Sequence, residues 1–303
     1  MPPAKRLEIE IEDRRLSLSN LEKPMYPAAG FTKGHVIDYY TRVAPALLPH
    51  LRGRAITLKR YPDGVDGPHF YEKQCPSHRP DWVRTAVVES SRARDGRIEF
   101  CVVDDLATLV WLANLADLEL HTSLALADGY ASPTVIAFDL DPGPPATVVE
   151  CARVALELRG IFDHLGMEAF AKTSGSKGMQ VYVPLNTPTT YEQTSGFAHG
   201  LAQLLERRHP ELVLSEMTRA KRAGKVFVDW SQNSRHKTTV SVYSLRALQE
   251  PTVSTPLTWD EVEAASDPED LVFRAPELLE RVSEHGDLFA GVVELEQQLP
   301  EAL

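Results

Sequence analysis

The chain has 303 residues, 43% of them hydrophobic, and a formal net charge of −11, which is enough apolar material for one large domain or two modest ones. No apolar stretch approaches the roughly 18 residues of a membrane span, and the N-terminal MPPAKRLEIEIEDRRL has no signal-peptide core, so a cytoplasmic chain without a membrane partner is expected. The acidity is local: residues 251–303 hold 13 acids and two bases, leaving 30 of each in the first 250 residues, so the net charge does not exclude nucleic acid as a ligand of the neutral body.

In chain order, Thr32 is placed to cap a helix through KGHVIDYYTRVAPALLPHL, where Val36, Tyr39, Tyr40, Val43 and Leu47 fall at helical spacing. AITLKRY predicts a strand. HFYEKQ, at 69–74, sets Phe70 and Tyr71 beside Lys73. Adjacent aromatics next to a cation suit unpaired bases and a phosphate, or are simply strand residues with one face in and one out. RDG at 94–96 reads as a turn into the strand RIEFCVV. LATLVWLANLADL is apolar on nearly every side and predicts a buried helix. It leads into a short strand, ELH, ended by His121. The strand IAFDLDPG follows, then a helix through PATVVECARVALELRGIFDHLG, closed by Gly166. EAFAKT and MQVYVPL predict strands joined by SGSKG. A helix is expected over roughly 190–208, and KVFVDWSQ and TTVSVYSL predict two further strands. Past Pro251 the texture is proline-rich, then DEVEAA and PELLERV predict two short acidic helices. The pattern is α+β or mixed α/β, with strands in antiparallel pairs and helices between them. Cys75, Cys101 and Cys151 are odd in number, far apart and without metal-ligand spacing, and read as reduced thiols.

Asp139 and Asp141 end the apolar run of IAFDLDPG. Residues i and i+2 of a strand share a face, about 6.5–7 Å apart along the chain. Two carboxylates so placed repel unless a proton or a cation intervenes, and hard oxygen ligands suit Mg²⁺ or Mn²⁺. Asp229 ends a second apolar strand, Val226–Val228, and supplies a third acid. Three acids on two strands suit a pair of metals that align an attacking and a leaving oxygen in phosphoryl transfer. The plain alternative is a turn in which Asp141 caps the chain.

TSGSKG, 173–178, offers backbone amides, the Ser174 and Ser176 hydroxyls and the Lys177 charge to an anion. It is not a Walker A loop, and a small hairpin turn is the alternative. Between 219 and 237 the bases Arg219, Lys221, Arg222, Lys225, Arg235 and Lys237 bracket Asp229. Such a strip suits a triphosphate or a nucleic-acid backbone. Arg222 and Lys225 are the favoured members because they lead directly into the Asp229 strand. YSLR adds Arg246.

FDLDPG, TSGSKG, RAGKVFVDWSQN with KTT, and YSLR occur in that order, preceded by LSLSNLEKPMYP, FTKGHVIDYY and HFYEKQ. Over about residues 15–290 this series resembles the polymerase domain of bacterial ligase D, a branch of the archaeo-eukaryotic primase superfamily. The resemblance implies a primase-like core, with an RNA-recognition-like antiparallel sheet facing a second small α/β lobe. It implies one catalytic domain over 1–303, with its core at about 15–250 and an acidic helical segment at 251–303. The implied activity is nucleotidyl transfer from NTPs or dNTPs to a primer 3′-hydroxyl, with ribonucleotides and Mn²⁺ often preferred. The implied setting is gap filling and non-homologous end joining in the nucleoid, on gapped or overhanging DNA with a 5′-phosphate, beside a Ku-like end-binding protein and a DNA ligase.

Carried over residue by residue, Asp139, Asp141 and Asp229 would bridge one divalent ion at the 3′-hydroxyl, and Asp139 and Asp141 a second at the triphosphate. His121, Ser174, Lys177 and Arg246 would contact the triphosphate, and Arg222 the primer and incoming nucleotide. Asn20, Lys23 and Lys73 would face the 5′-phosphate, and Phe70 and Tyr71 the template bases; Lys225 would touch DNA. There are departures. No ligase or nuclease domain accompanies these motifs, so a stand-alone paralogue or an excised domain is expected. Phe-Tyr stands where two phenylalanines are expected. The cysteine-rich domain of large primase subunits is absent, so dedicated replicative priming is not expected. Two other readings use the same residues: a metal-dependent phosphoesterase or nuclease, and a silent end-binding module that recruits a ligase.

Overall fold

The computed structural model describes residues 6–90, 93 and 95–300. It opens with the hairpin β1 (Arg6–Ile11) and β2 (Arg14–Ser19), then β3 (Pro24–Tyr26) paired with β4 (Phe31–Thr32). Helix α1 (Lys33–Leu51) starts where expected: the Thr32 hydroxyl accepts from the His35 amide and His35 Nδ1 accepts from the Thr32 amide, a reciprocal cap. Next come β5 (Arg54–Arg60), β6 (Phe70–Glu72), β7 (Thr85–Glu89), β8 (Arg97–Val102), α2 (Leu106–Asn114) and β9 (Asp117–Leu126). Of the RDG turn, Arg94 lies outside the described residues. The second half holds β10 (Val135–Pro142), α3 (Val148–His164), β11 (Phe170–Thr173), β12 (Met179–Pro184), α4 (Tyr191–Arg208), β13 (Val213–Leu214), β14 (Val226–Asp229) and β15 (Thr239–Val240). The chain ends with β16 (Pro256–Leu257), α5 (Trp259–Ala264), α6 (Ala275–His285) and α7 (Gly291–Glu294).

Two sheets organise these elements. The first runs β15-β9-β5-β8-β7, with β6 on the end of β5, and buries Ile56, Leu58, Leu118 and Leu120 together with α1 and α2. The second runs β13-β14-β10-β12-β11-β16. Within it, β10-α3-β11-β12-α4-β14 is a split βαβ unit of the RNA-recognition type, as the resemblance implied. α3 and α4 cover one face, packing Val154, Leu158 and Phe162 of α3 and Leu201 and Leu205 of α4 on Ile136, Phe138 and Leu140. The other face of β10, carrying Val135 and Ala137, joins the core of the first half. The strand pairs are antiparallel except β13 with β14, which is parallel.

Three expectations change. The strand predicted as ELH spans Asp117–Leu126, because Thr122–Leu126 also pairs with β5. The strand predicted over TTVSVYSL stops at Val240, because Tyr243 adopts a left-handed backbone (φ 64). Cys75 and Cys101, read as reduced thiols, form a disulfide. Cys101 lies on β8, and the Cys75 amide bonds to the carbonyl of Glu99, so cysteines remote in sequence meet across one strand. Cys151 is a free, buried thiol.

Candidate active site

The acidic cluster follows from strand alternation. Ile136, Phe138 and Leu140 point to α3 and α4, so Val135, Ala137, Asp139 and Asp141 share the opposite face. That face is apolar while it is covered by the first half and acidic where it emerges. On β14, Val226 and Val228 enter the helical core, so Phe227 and Asp229 turn to the same side as the acids. The register sets Asp229 directly opposite Asp139 and Phe227 opposite Asp141.

Each acid has protein partners. Asp139 accepts from Gln180 Nε2 at 3.0 Å and Gln232 Nε2 at 3.2 Å. Asp229 accepts from the Ser231 amide at 3.0 Å and from the Ser231 hydroxyl, and Lys237 Nζ lies 3.3 Å away. Arg222 Nη1 stands 3.9 Å from Asp141 while its guanidinium lies 3.9 Å above the Phe227 ring. Burial, reinforced by Asp229, raises the Asp139 carboxyl; burial and the charges of Asp139 and Asp229 push Asp141 up to about 6. Asn233 closes the β10 ladder just upstream, its amide trading hydrogen bonds with both backbone groups of Ala137.

Among the described residues no three His, Cys, Asp or Glu side chains are grouped as one metal ion would require. The side-chain amides contact the oxygens of Asp139, and Ser231 and Lys237 those of Asp229, while Asp141 faces Arg222. The donor set nevertheless fits a hard divalent ion: oxygen ligands only, on rigid strands, with mutual repulsion that a cation would relieve.

Glycines bring the surrounding loops close. A Cβ at Gly143 would stand 1.9 Å from the Arg222 carbonyl oxygen, and one at Gly178 2.1 Å from that of Leu140. Pro142-Gly143 is therefore more than a turn: the Gly143 amide bonds to Lys225 O and docks the basic loop against the acids. In SGSKG the Ser174 hydroxyl accepts from the amides of Ser176 (3.2 Å) and Gly178 (3.1 Å), and its carbonyl accepts from Arg246 Nη1. A cavity of about 240 Å³ is lined by His121, Asp139, Asp141, Ser174, Lys177 and Arg246, so six of the predicted residues converge. A larger cavity of about 610 Å³ lies behind the same loop, against Pro142, Leu248 and Phe273. Its Arg274 is already tied to Glu250 at 2.6 Å, so the smaller, cationic cavity suits a triphosphate better.

Glu119, which sequence reasoning missed, organises that cavity. It is buried, 3.1 Å from His121 Nε2, 2.9 Å from Lys59 Nζ and 3.3 Å from Arg246 Nε. Burial alone would raise its carboxyl, but the His121 hydrogen bond and the Arg246 charge outweigh it and hold Glu119 well below the usual range. Burial lowers the His121 imidazole against the pull of Glu119. Lys172 is fully buried under the sheet, donating to Val240 O at 3.1 Å and Ser254 Oγ at 2.7 Å. Its burial lowers it to about 7.

Of the remaining predicted residues, Tyr71 touches a residue of the cavity, His121. Phe70 and Tyr71 are both exposed, on β6. Tyr71 stands edge-on to His121 at 5.8 Å between centroids, and Arg60 covers Phe70 at 5.3 Å. Lys73 reaches His236 O at 3.4 Å. Asn20 and Lys23 lie apart, in the turn after β2, where Lys23 pairs with Asp63 at 2.7 Å. Lys33, not singled out from sequence, sits beneath that turn and donates to Ser19 O at 2.7 Å. Lys225 is not brought into the cavity; its ammonium bonds to Pro210 O.

A model of the LigD primase-polymerase domain matches residues 32–289. The chain is 42% identical over 278 residues to the multifunctional non-homologous end joining protein LigD of Mycolicibacterium smegmatis, covering 91% of this chain and 36% of that protein. It is 32% identical over 273 residues to the bifunctional LigD of Bacillus subtilis, covering 90% and 43%. It thus spans well under half the length of these curated relatives. Among solved structures, the polymerase domain of Mycobacterium tuberculosis ligase D in complex with DNA superposes with a TM-score of 0.86 at 40% identity, covering 93% of this chain and 99% of that one. The carboxylates, cationic cavity and split βαβ sheet are thus found in a chain that belongs to the family of LigD primase-polymerase domains, which are nucleotidyltransferases.

Proposed function

We propose that this chain transfers a nucleotide from an NTP or dNTP to the 3′-hydroxyl of a primer in gapped or broken DNA. The observation that carries the reading is the set Asp139, Asp141 and Asp229 on one face of two paired strands, beside a cavity lined by His121, Ser174, Lys177 and Arg246. Asp139, Asp141 and Asp229 are the residues that would hold Mn²⁺ or Mg²⁺, and bound ions of this kind supply a more acidic 3′-hydroxyl and charge neutralisation at the triphosphate. The Asp229 oxygens that would hold an ion are those now contacted by Ser231 and Lys237. Lys177, His121 and Arg246 bind and orient the triphosphate, as fixed charges and donors that need no reorganisation during transfer. Ser174 shapes the loop from which Lys177 projects. Arg222, held on Phe227, stands at the boundary of primer and nucleotide.

Phe70 and Tyr71 would stack on template bases, Lys73, Asn20 and Lys23 would take the 5′-phosphate, and Lys225 a more distant backbone phosphate. Support for DNA as substrate comes from the M. tuberculosis domain, whose structure is a complex with DNA. Support for end joining, beside a Ku-like protein and a ligase, comes from the names of the relatives. A ribonucleotide preference belongs to the same proposal. So does a single catalytic domain over 1–303, a reading supported by the contacts of the described part of its C-terminal segment, 251–300, with the body: Asp287 to His50 and Trp259 Nε1 to the carbonyl of Ala169.

The test is extension of a primer on a gapped duplex bearing a 5′-phosphate, with NTPs or dNTPs and Mn²⁺ or Mg²⁺. Metal-dependent extension by the wild type and none by Asp139→Ala is expected. Binding without extension in every condition overturns the proposal.

A further inference from the structure

Tyr243 is fully buried with φ 64, a left-handed backbone at a bulky aromatic. Such a conformation is unfavourable for a bulky side chain and persists only where the surroundings over-determine it. Here they do. The Tyr243 amide donates to Ser254 O at 2.7 Å, and its carbonyl accepts from Tyr39 Oη at 2.7 Å. Its hydroxyl donates to Asp287 Oδ1 at 2.6 Å, and Asp287 Oδ2 lies 2.8 Å from His50 Nε2. The next residues are pinned as well: the Leu245 amide donates to Tyr40 Oη at 3.1 Å and the Arg246 amide to Thr252 O at 2.8 Å.

The turn has a consequence for the cavity. It ends the strand that begins at Thr239, whose hydroxyl accepts from Gln180, and sends the chain back so that Arg246 reaches Glu119 and Ser174 O. Straightened as β-strand, 239–246 would alternate side chains along the edge of the first sheet and lose that placement. The anchor is remote in sequence: Asp287 belongs to the acidic C-terminal segment and His50 to the end of α1.

We infer that Tyr243 and Asp287 are positioning residues for the incoming nucleotide: the Asp287–Tyr243 hydrogen bond, backed by His50, holds the left-handed turn that places Arg246 at the triphosphate. This rests on the reading of the cavity as the nucleotide site. The acidic segment then acts on substrate binding without touching the substrate.

The experiment compares wild type, Asp287→Asn, Tyr243→Phe, Arg246→Ala and the double variant Asp287→Asn/Arg246→Ala, as full chains. It measures ATP and dATP binding with Mn²⁺, KM and kcat for primer extension, and thermal melting. Tyr243→Phe removes the hydrogen bond to the charged acceptor outright and predicts a rise in nucleotide KM on the order of tenfold, with kcat changing far less. Asp287→Asn, the milder change because its amide oxygen still accepts from the Tyr243 hydroxyl, raises KM in the same direction while the protein melts cooperatively. In the double variant KM equals that of Arg246→Ala alone, because a residue acting through Arg246 has nothing further to lose. Unchanged KM in both single variants, or losses that multiply in the double variant, overturns the inference while wild-type extension leaves the functional reading intact. A wild type that neither binds nucleotide nor extends a primer overturns the reading itself, and the inference with it.

Discussion

Asp229 stands directly across the antiparallel ladder from Asp139. Like charges so opposed destabilise a sheet by about 0.2–1 kcal/mol, and Asp141, two residues along, adds a third carboxylate, raised to about 6. The fold carries this repulsion where uncharged isosteres would fit. Asp229→Asn keeps the shape and the Ser231 contact, removes one charge, and gives up only the ion pair with the exposed Lys237, which is worth little in water. In the absence of divalent ions at pH 8 its melting temperature is expected to rise by on the order of 1–2 °C, while extension falls on the order of a hundredfold or more. Mn²⁺ should raise the melting temperature of the wild type, by binding the folded state alone, and leave that of Asp229→Asn nearly unmoved. Equal Mn²⁺ shifts in both proteins would remove Asp229 from the metal site.

Glu119 gathers Lys59, His121 and Arg246 around one buried carboxylate. Removing one partner of a buried ion pair costs roughly 3–5 kcal/mol, mostly because the others stay desolvated. Glu119→Gln is expected to lower stability and weaken triphosphate binding together, as Lys59 and Arg246 lose their shared counter-charge. The pH dependence follows from the depressed carboxyl. The folded state binds this proton less tightly than the unfolded state, so the contribution is complete above the ordinary glutamate range and is lost as pH falls through the lower folded value. Denaturant titrations from pH 7 downward should show a shallower acid decline in Glu119→Gln than in wild type. Parallel declines would show that Glu119 is not what the acid limb reports.

How much of this was legible in the sequence depends on distance along the chain. The apolar run into Asp139-Leu140-Asp141, the loop SGSKG and the Asp229 strand announce themselves locally, because alternation and glycine placement are local signals. The helices capped by Thr32, Thr147 and Thr190 do too. Glu119 was invisible: a glutamate inside LELH acquires meaning only from Lys59 and Arg246, which reach it through the fold. TTVSVYSL has the β-branched texture of a strand, and tertiary contacts to Tyr39, Ser254 and Asp287 override it at Tyr243. The Cys75–Cys101 pairing is likewise a property of strand packing, which spacing does not encode.

That disulfide ties the segment after Lys73 to β8 across 26 residues of chain. Cross-linking a loop of this length stabilises by about 3.5 kcal/mol in the chain-entropy account. Cys75→Ser is expected to melt well below wild type in the absence of reductant. With dithiothreitol sufficient to reduce the wild type, the two melting temperatures should converge. A gap that survives full reduction would place the effect in packing around Cys75 instead of in the cross-link.

Lys33 links pH to the proposed recognition of a 5′-phosphate. Its ammonium is buried beneath the turn that carries Asn20 and Lys23, and burial, with the charge of Lys23 added, lowers it to about 8. A lysine lowered in the folded state stays protonated longer in the unfolded chain, so its contribution to folding stability increases between about pH 8 and the ordinary lysine value near 10.4. Affinity for an anion moves the other way, because the protonated form is the one that attracts phosphate. A terminal phosphate is fully ionised above its second pKa of about 6, so it contributes no titration in this range. The ratio of affinities for gapped duplexes ending in 5′-phosphate and 5′-hydroxyl cancels the other DNA contacts. That ratio is expected to fall between pH 7 and pH 9 in the wild type, by up to about tenfold for one charge-assisted contact. It should be low and flat with pH in Lys33→Met. A ratio that stays high at pH 9, or falls equally in Lys33→Met, would assign the 5′-phosphate to Lys73 and Lys23 without help from Lys33.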